Sequence, residues 1–70
     1  MGNKTILNRE MLESILVIID IVDANGGESF IIDDYVNINV AFPDGFTLSC
    51  SWSIKNVSHI NAIKELLLNY

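Results

Sequence analysis

The chain has 70 residues, a formal net charge of −5 at pH 7, and a composition that is 50% hydrophobic and only 19% charged. This length allows one small domain, and the composition is too apolar for an intrinsically disordered chain. A single cysteine excludes both an internal disulfide framework and a cysteine-based zinc site.

The first element is predicted to be a helix over residues 9–24. Residues 1–7 are interpreted as a lead-in, ordered or fraying, in which Ile6 and Leu7 are candidates for packing on the body. Asn8 is a suitable N-cap, and Gly26 or Gly27 supplies a left-handed stop. The run of β-branched residues over 15–22 favours a strand, but its length and polar spacing favour a helix. One side of the helix would carry the apolar residues Met11, Leu12, Ile15, Ile18, Ile19 and Val22. The other side would carry Arg9, Glu10, Glu13, Asp20 and Asp23.

A short strand is predicted over residues 28–32, which are aromatic and β-branched at positions 30–32. Two continuations are open at Asp33-Asp34. The chain can run straight on as one long bent strand, in which Phe30 and Ile32 share a face with Val36. Alternatively, Asp33-Asp34 is a tight turn, which places Ile31 opposite Val36 and gives a three-stranded meander. We favour the turn slightly, because a two-stranded ribbon alone is only marginally stable.

A β-hairpin over residues 35–53 is the clearest prediction, because apolar and polar residues alternate on both sides of Pro43-Asp44-Gly45. Proline suits the first central position of a type I turn, and Gly45 can take the left-handed conformation that closes a three-residue loop. The predicted register pairs Val40 with Leu48, Ile38 with Cys50, and Val36 with Trp52. Together with Phe42 and Phe46, these six would form one apolar face. The other face would carry Asn37, Asn39, Ala41, Thr47, Ser49 and Ser51.

A second helix is predicted to begin at a cap on Asn56 or Ser58 and to run to about Asn69. Its apolar stripe would consist of Ile60, Ile63, Leu67 and Tyr70, with Ala62 and Leu66 beside it and Lys64 and Glu65 facing solvent. We therefore expect a single α+β domain over residues 1–70. Both helices cover one face of an antiparallel sheet of two or three strands, which gives a two-layer sandwich in the order α-β(β)β-α.

No motif in the sequence indicates catalysis, so we expect a protein that is not an enzyme and needs no cofactor or metal. The single histidine, His59, has no partner at a spacing that would orient a catalytic base. Ser49, Ser51 and Ser53 lie in a predicted strand with no base at motif spacing. Cys50 lies on the predicted apolar face and is interpreted as a buried, inert thiol.

The unusual feature is the placement of charge. Between Glu10 and Ile54 there are eight acidic residues and no Lys or Arg. The eight candidates for partner binding are Glu10, Glu13, Asp20, Asp23, Glu28, Asp33, Asp34 and Asp44. Such a field repels nucleic acid and attracts basic protein surfaces, although acidity can also serve only to keep a small apolar domain soluble.

Two functional hypotheses follow. In the first, the chain is a small acidic protein-binding module, such as a phage-type inhibitor that occupies the basic nucleic-acid-binding surface of a nuclease or defence complex. In the second, it is a homodimeric structural or regulatory domain whose acidity serves solubility. The polar face of the hairpin, which lacks Lys, is either a solvated face or an interface. No signal peptide and no long apolar run are present, so we expect no membrane contact and a cytoplasmic location in the producing or host cell.

Overall fold

The computed structural model describes residues 8–70, which form two helices and one three-stranded antiparallel sheet. The elements are α1 (Arg9–Ala24), β1 (Glu28–Ile32), β2 (Tyr35–Ala41), β3 (Thr47–Ser53) and α2 (Val57–Leu68). The order α-β-β-β-α confirms the predicted α+β class. Buried residues from both helices and from β2 and β3 form one apolar cluster, so the core lies between the helices and one face of the sheet.

Helix α1 begins and ends where the capping residues predict. The Asn8 side chain accepts a hydrogen bond from the Met11 N–H at 2.8 Å, which satisfies one of the free amides of the first turn. Gly26 has φ +73°, the left-handed conformation that stops the helix, whereas Gly27 does not have a positive φ. The prediction for Ile6 and Leu7 lies outside the described residues.

The sheet is a meander in which β2 is the central strand, and the tight turn at Asp33-Asp34 is therefore confirmed. Ile31 pairs with Val36 and Ile32 pairs with Tyr35, as this alternative required. The long bent strand was the wrong alternative. Asp33 adopts φ +55°, which a tight reversal needs at its first central position and which Asp tolerates better than most residues.

The register of the β2–β3 hairpin is also confirmed, with Val40 opposite Leu48, Ile38 opposite Cys50 and Val36 opposite Trp52. The Phe42 N–H donates to the Phe46 carbonyl at 2.8 Å, and this bond closes the three-residue loop. Gly45 has φ +98° there, as expected for the left-handed position. Five of the eight apolar residues of this face are buried, and Leu48 and Cys50 are partly buried. Phe46, at the loop, stays 38% exposed.

Helix α2 is capped by Asn56, whose side chain accepts from the His59 N–H at 3.0 Å. Ile60, Ile63 and Leu67 are buried as predicted, whereas Leu66 is 44% exposed. The stripe of α2 that is buried is therefore narrower than the apolar residues in its sequence indicate.

The two helices share a polar contact that the sequence did not indicate. Ser14 is buried and donates to the Asn61 side chain at 3.1 Å, and Lys64 Nζ lies 3.4 Å from Ser14 Oγ. Lys64 thus lies over the helix pair and is only partly exposed, contrary to the prediction that it faces solvent. A buried hydroxyl that finds partners only on the facing helix fixes the rotation of one helix against the other.

Candidate protein-binding surface

All eight candidate acidic residues are exposed, and they lie at four places in the fold. Four lie on α1: Glu10, Glu13, Asp20 and Asp23. Two lie in the turn between β1 and β2, namely Asp33 and Asp34, and the last two lie at the start of β1 and at the hairpin tip, namely Glu28 and Asp44. The eight are thus spread around the rim of the sheet and along one helix, and they do not form a single cluster.

The outer face of α1 carries three exposed carboxylates, with Arg9 one turn before the first of them. Glu13, Asp20 and Asp23 follow one another at helical spacing, and Leu16 lies between them with 57% of its surface exposed. The buried residues of the helix, such as Ile18 and Val22, lie on the opposite side. An exposed leucine among carboxylates gives this face an apolar contact point inside a negative field.

Some of the other carboxylates have structural roles that their positions in the sequence did not indicate. Asp34 lies 3.8 Å from Lys55 Nζ across the turn, in an exposed ion pair of small energetic value. Glu28 accepts a hydrogen bond from the Asn39 side chain at 3.3 Å. These two are therefore weaker candidates for contacting a partner than the carboxylates of α1.

Asp44 ties the hairpin tip to the end of the chain. Its carboxylate accepts from the Tyr70 hydroxyl and, at 3.0 Å, from the Phe46 N–H. These two hydrogen bonds, the Tyr70 bond first, hold the pKa of Asp44 below its ordinary value. Partial desolvation and the Asp44 carboxylate raise the pKa of Tyr70 to about 12. The Tyr70 ring also packs against both Phe42 and Phe46, tilted to the first at a centroid distance of 4.4 Å and stacked on the second at 4.8 Å.

The other candidate chemical groups have ordinary environments. The His59 ring lies 6.1 Å from the Trp52 ring, a packing contact, and burial raises the pKa of the Cys50 thiol, which lowers its reactivity. Among the residues that the structure describes, no group of three or more His, Cys, Asp or Glu side chains could hold a metal ion. No helix within residues 8–70 is long and apolar enough to cross a membrane.

An apolar groove runs between α1 and β1, next to the acidic residues. Its volume is about 290 Å³, and its lining is almost entirely hydrocarbon. The lining residues are Leu12, Ile15, Ile19, Ser29, Phe30, Ile31, Val36 and Ile54. Leu12 and Ile31 remain 40% and 56% exposed although they face it. The volume lies just below the range of about 300–1,000 Å³ that is typical of small-molecule pockets, so the groove suits one or two side chains of a partner.

The far face of the sheet carries short polar side chains that bond to one another. Ser49 Oγ donates to Asn39 Oδ1 at 2.5 Å, and the Asn37 side chain donates to the Tyr35 carbonyl at 3.2 Å. A shallow depression there is lined by polar and apolar atoms in similar amounts. Because these polar groups already satisfy one another in part, this face offers a partner fewer free hydrogen-bonding groups than its composition suggests.

We compared the chain with protein-family models, with curated proteins and with solved structures. No match was found.

Sequence reasoning identified the acidic residues but missed the groove beside them. Leu12 and Ile19 were expected in the buried stripe of α1, and both instead line the groove. An indication was present in the residues Phe30-Ile31-Ile32. Consecutive strand residues alternate between the two faces of a sheet, so three apolar residues in a row require apolar surface on both faces.

Proposed function

We propose that this chain is a small acidic protein-binding module with no chemistry of its own, and that it recognises a basic surface on another protein. The observation that supports this most strongly is the outer face of α1, on which Glu13, Asp20 and Asp23 are exposed together. No Lys or Arg occurs from residue 10 to residue 54, and the one basic residue of α1, Arg9, lies at its start, one turn before Glu13. A field of one sign accelerates association with a surface of the opposite sign and orients the encounter.

The partner class that suits such a surface is a protein that uses Lys and Arg to bind nucleic acid. Exposed carboxylates at helical spacing can occupy the same basic groups that contact phosphates. Occupation of that surface would exclude the nucleic acid and inhibit the partner, for example a nuclease or a defence complex. A module of this kind would act in the compartment that contains its target, which we propose to be the cytoplasm.

The test is a charge reversal with a matched control. In the test variant, Asp20→Lys and Asp23→Lys bring the net charge from −5 to −1, since each change adds two charges. The control, Ser58→Lys with Ala62→Lys and Glu65→Lys, reaches the same net charge on an exposed face of α2. We expect basic proteins from the native cell to be captured by immobilised wild type and by the control, and capture by the test variant to fall at least tenfold.

Two further measurements complete the test. Added salt should release the captured proteins as screening increases between about 0.05 and 0.3 M. Added duplex DNA or RNA should compete with the module for them. Equal capture by the test variant, the control and wild type would contradict the proposal, as would capture that is indifferent to both salt and nucleic acid.

The homodimer is a second candidate, and one observation favours it. Strand β1 lies at an edge of the sheet and carries exposed Phe30, Ile31 and Ile32, so it has the apolar surface that strand pairing between two copies would bury. The charge opposes this arrangement. Glu28 begins β1 and Asp33 follows it, so two copies of β1 paired antiparallel would place a Glu28 and an Asp33 together at each end. A basic partner meets no such repulsion.

A further inference from the structure

We propose that the groove between α1 and β1 is the anchor site of this module. Its occupant would be an extended segment of a partner protein that carries apolar residues at alternate positions between flanking Lys or Arg residues. The inference rests on the proposed function and names the part of the surface that gives it specificity. Three features of the groove support it: its apolar lining, the edge of β1 that no other strand within residues 8–70 covers, and the position of the carboxylates around it.

The backbone of β1 can accept a further strand. Ile32 and Tyr35 form the hydrogen-bonded pair that closes the tight turn, so the residues bonded to β2 alternate from Ile32 back to Glu28. The N–H and C=O groups of Ser29 and Ile31 therefore point away from the sheet. Within residues 8–70, no backbone hydrogen bond beyond the strand ladder involves β1.

The side chains of the same two residues face the groove. Ser29 and Ile31 both line it, opposite Leu12 and Ile19 of α1. A partner strand that paired with Ser29 and Ile31 would direct alternate side chains to this side of the sheet, because successive residues of a strand point to opposite faces. One pairing therefore provides both backbone hydrogen bonds and an apolar anchor.

Carboxylates lie at both ends of the groove. The chain reverses between α1 and β1, so Asp23 lies close to one end, and Asp33 follows β1 at the other. Glu28 and Asp34 lie beside them, but each already has a partner within the chain. Lys55 lies near the second end, where its ammonium is 3.8 Å from Asp34 in an exposed ion pair. Strand β1 is about 16 Å long at 3.3 Å per residue, so a segment of roughly seven to nine residues would reach both acidic ends.

The test uses synthetic nonapeptides and ¹⁵N-labelled protein. The probe is Lys-Arg-Thr-Val-Thr-Leu-Thr-Arg-Lys, blocked at both ends, and a second peptide replaces its Val and Leu with Ser. We expect the first peptide to shift the amide resonances of Leu12, Ser29 and Ile31 at low salt and to bind about tenfold more tightly than the second, because it buries two apolar side chains.

The chain offers a closely matched pair of variants. Ile31 and Ile32 are neighbours on β1 with 56% and 58% of their surfaces exposed, but only Ile31 lines the groove. Ile31→Ser should remove the tenfold preference for the apolar peptide, and Ile32→Ser should retain it. Ser29→Pro removes an outward N–H without removing a bond to β2, and should weaken both peptides. Circular dichroism and urea unfolding establish that each variant is folded.

The outcomes separate this inference from the proposed function. One outcome is that Asp20→Lys with Asp23→Lys abolishes the capture of basic proteins while Ile31→Ser and Ile32→Ser have the same effect on the preference for the apolar peptide. That result would support the acidic protein-binding module and would show that the groove is not its anchor site. If neither peptide binds, or both bind equally, the groove inference is overturned. Deletion of residues 1–7 should leave peptide affinity within about twofold, and a tenfold rise would assign the groove to the chain's own N-terminal segment.

Discussion

Two glycines that are adjacent in the sequence have different physical roles. Gly26 provides a left-handed φ with no atom within 4 Å of an added Cβ, so its role is conformational. At Gly27, an added Cβ would lie 2.4 Å from the Asn39 carbonyl oxygen and 2.9 Å from Val22 Cγ1. Its role is to let the start of β1 approach β2. The sequence indicated a helix stop at this pair but could not show which glycine provides it, because the close approach arises only when the sheet forms.

Substitution of each glycine by alanine should therefore give unequal effects. Gly26→Ala should cost about 1 kcal/mol, the strain of a left-handed residue with a Cβ. Gly27→Ala should cost about 3 kcal/mol, since backbone must move to relieve the overlap with Asn39. The measurement is urea unfolding of both variants and wild type at one temperature. Equal losses, or a larger loss at Gly26, would show that the backbone at Gly27 accommodates a methyl group easily.

At the scale of elements, the parts that were predicted depend on local rules. The caps at Asn8 and Asn56 and the loop at Pro43-Asp44-Gly45 need only a few neighbouring residues, so composition and spacing determine them. The turn at Asp33-Asp34 was less certain. Asp-Asp is a weak turn sequence, and the strand pairing outweighs the cost of a positive φ at Asp33.

The features that were missed depend on how the elements pack. The groove exists because β1 extends beyond the surface that α1 covers, which leaves Ile31 exposed on the helix side of the sheet. The contact between Ser14 and Asn61, which are 47 positions apart in the sequence, depends on the relative rotation of the two helices. Neither the offset of a helix over a strand nor the rotation of a helix pair follows from hydrophobic periodicity, which gives only the face that is apolar.

The end of α2 and the hairpin tip are joined by Tyr70 and Asp44, and this contact should depend on pH. The pKa of Tyr70 is raised to about 12, so the stability it contributes is present below about pH 10 and is lost as the pH rises towards 12. The pKa of Asp44 is lowered from 3.8, so its contribution is present above about pH 4 and is lost as the pH falls through the depressed value. The hydrogen bond between Tyr70 and Asp44 should therefore contribute fully to stability between about pH 4 and about pH 10.

A tyrosine titration tests this contact directly. The chain has two tyrosines, so Tyr35→Phe leaves Tyr70 as the only one. In that background, tyrosinate absorbance should report a pKa near 12, and Asp44→Asn should move the pKa towards 10 by removing the hydrogen-bonded carboxylate. Asp34→Asn removes a charge without touching Tyr70 and serves as the control. A pKa near 10 before Asp44 is changed would mean that the two groups are not in contact in solution.

At the scale of the whole molecule, the acidic residues restrict which partners can bind to the exposed apolar groove. A small domain with apolar residues exposed along an edge strand is at risk of pairing with itself. Eight carboxylates over residues 10–54, with acidic residues at both ends of β1, oppose that pairing by like-charge repulsion. The same charges favour a basic partner. Solubility and selectivity are thus two consequences of one charge distribution.

Added salt should have opposite effects on the binding of a basic partner and on the pairing of two copies of the chain. Screening weakens attraction to a basic partner and weakens repulsion between copies, with a Debye length of about 14 Å at 0.05 M falling to about 3 Å at 1 M. We expect sedimentation equilibrium to show a monomer at low salt and any dimer to grow only as salt is added. Capture of basic partners should decline over the same range.

The variant Ser29→Pro tests whether salt-induced association of two copies uses the edge of β1. If salt-induced association uses the edge of β1, Ser29→Pro should reduce it, because a proline on an edge strand removes a donor that a second copy would need. A dimer that forms at low micromolar concentration in low salt, and that Ser29→Pro disrupts, would support the homodimer over the acidic module. It would also show that the repulsion between carboxylates at Glu28 and Asp33 is too weak to keep two copies apart.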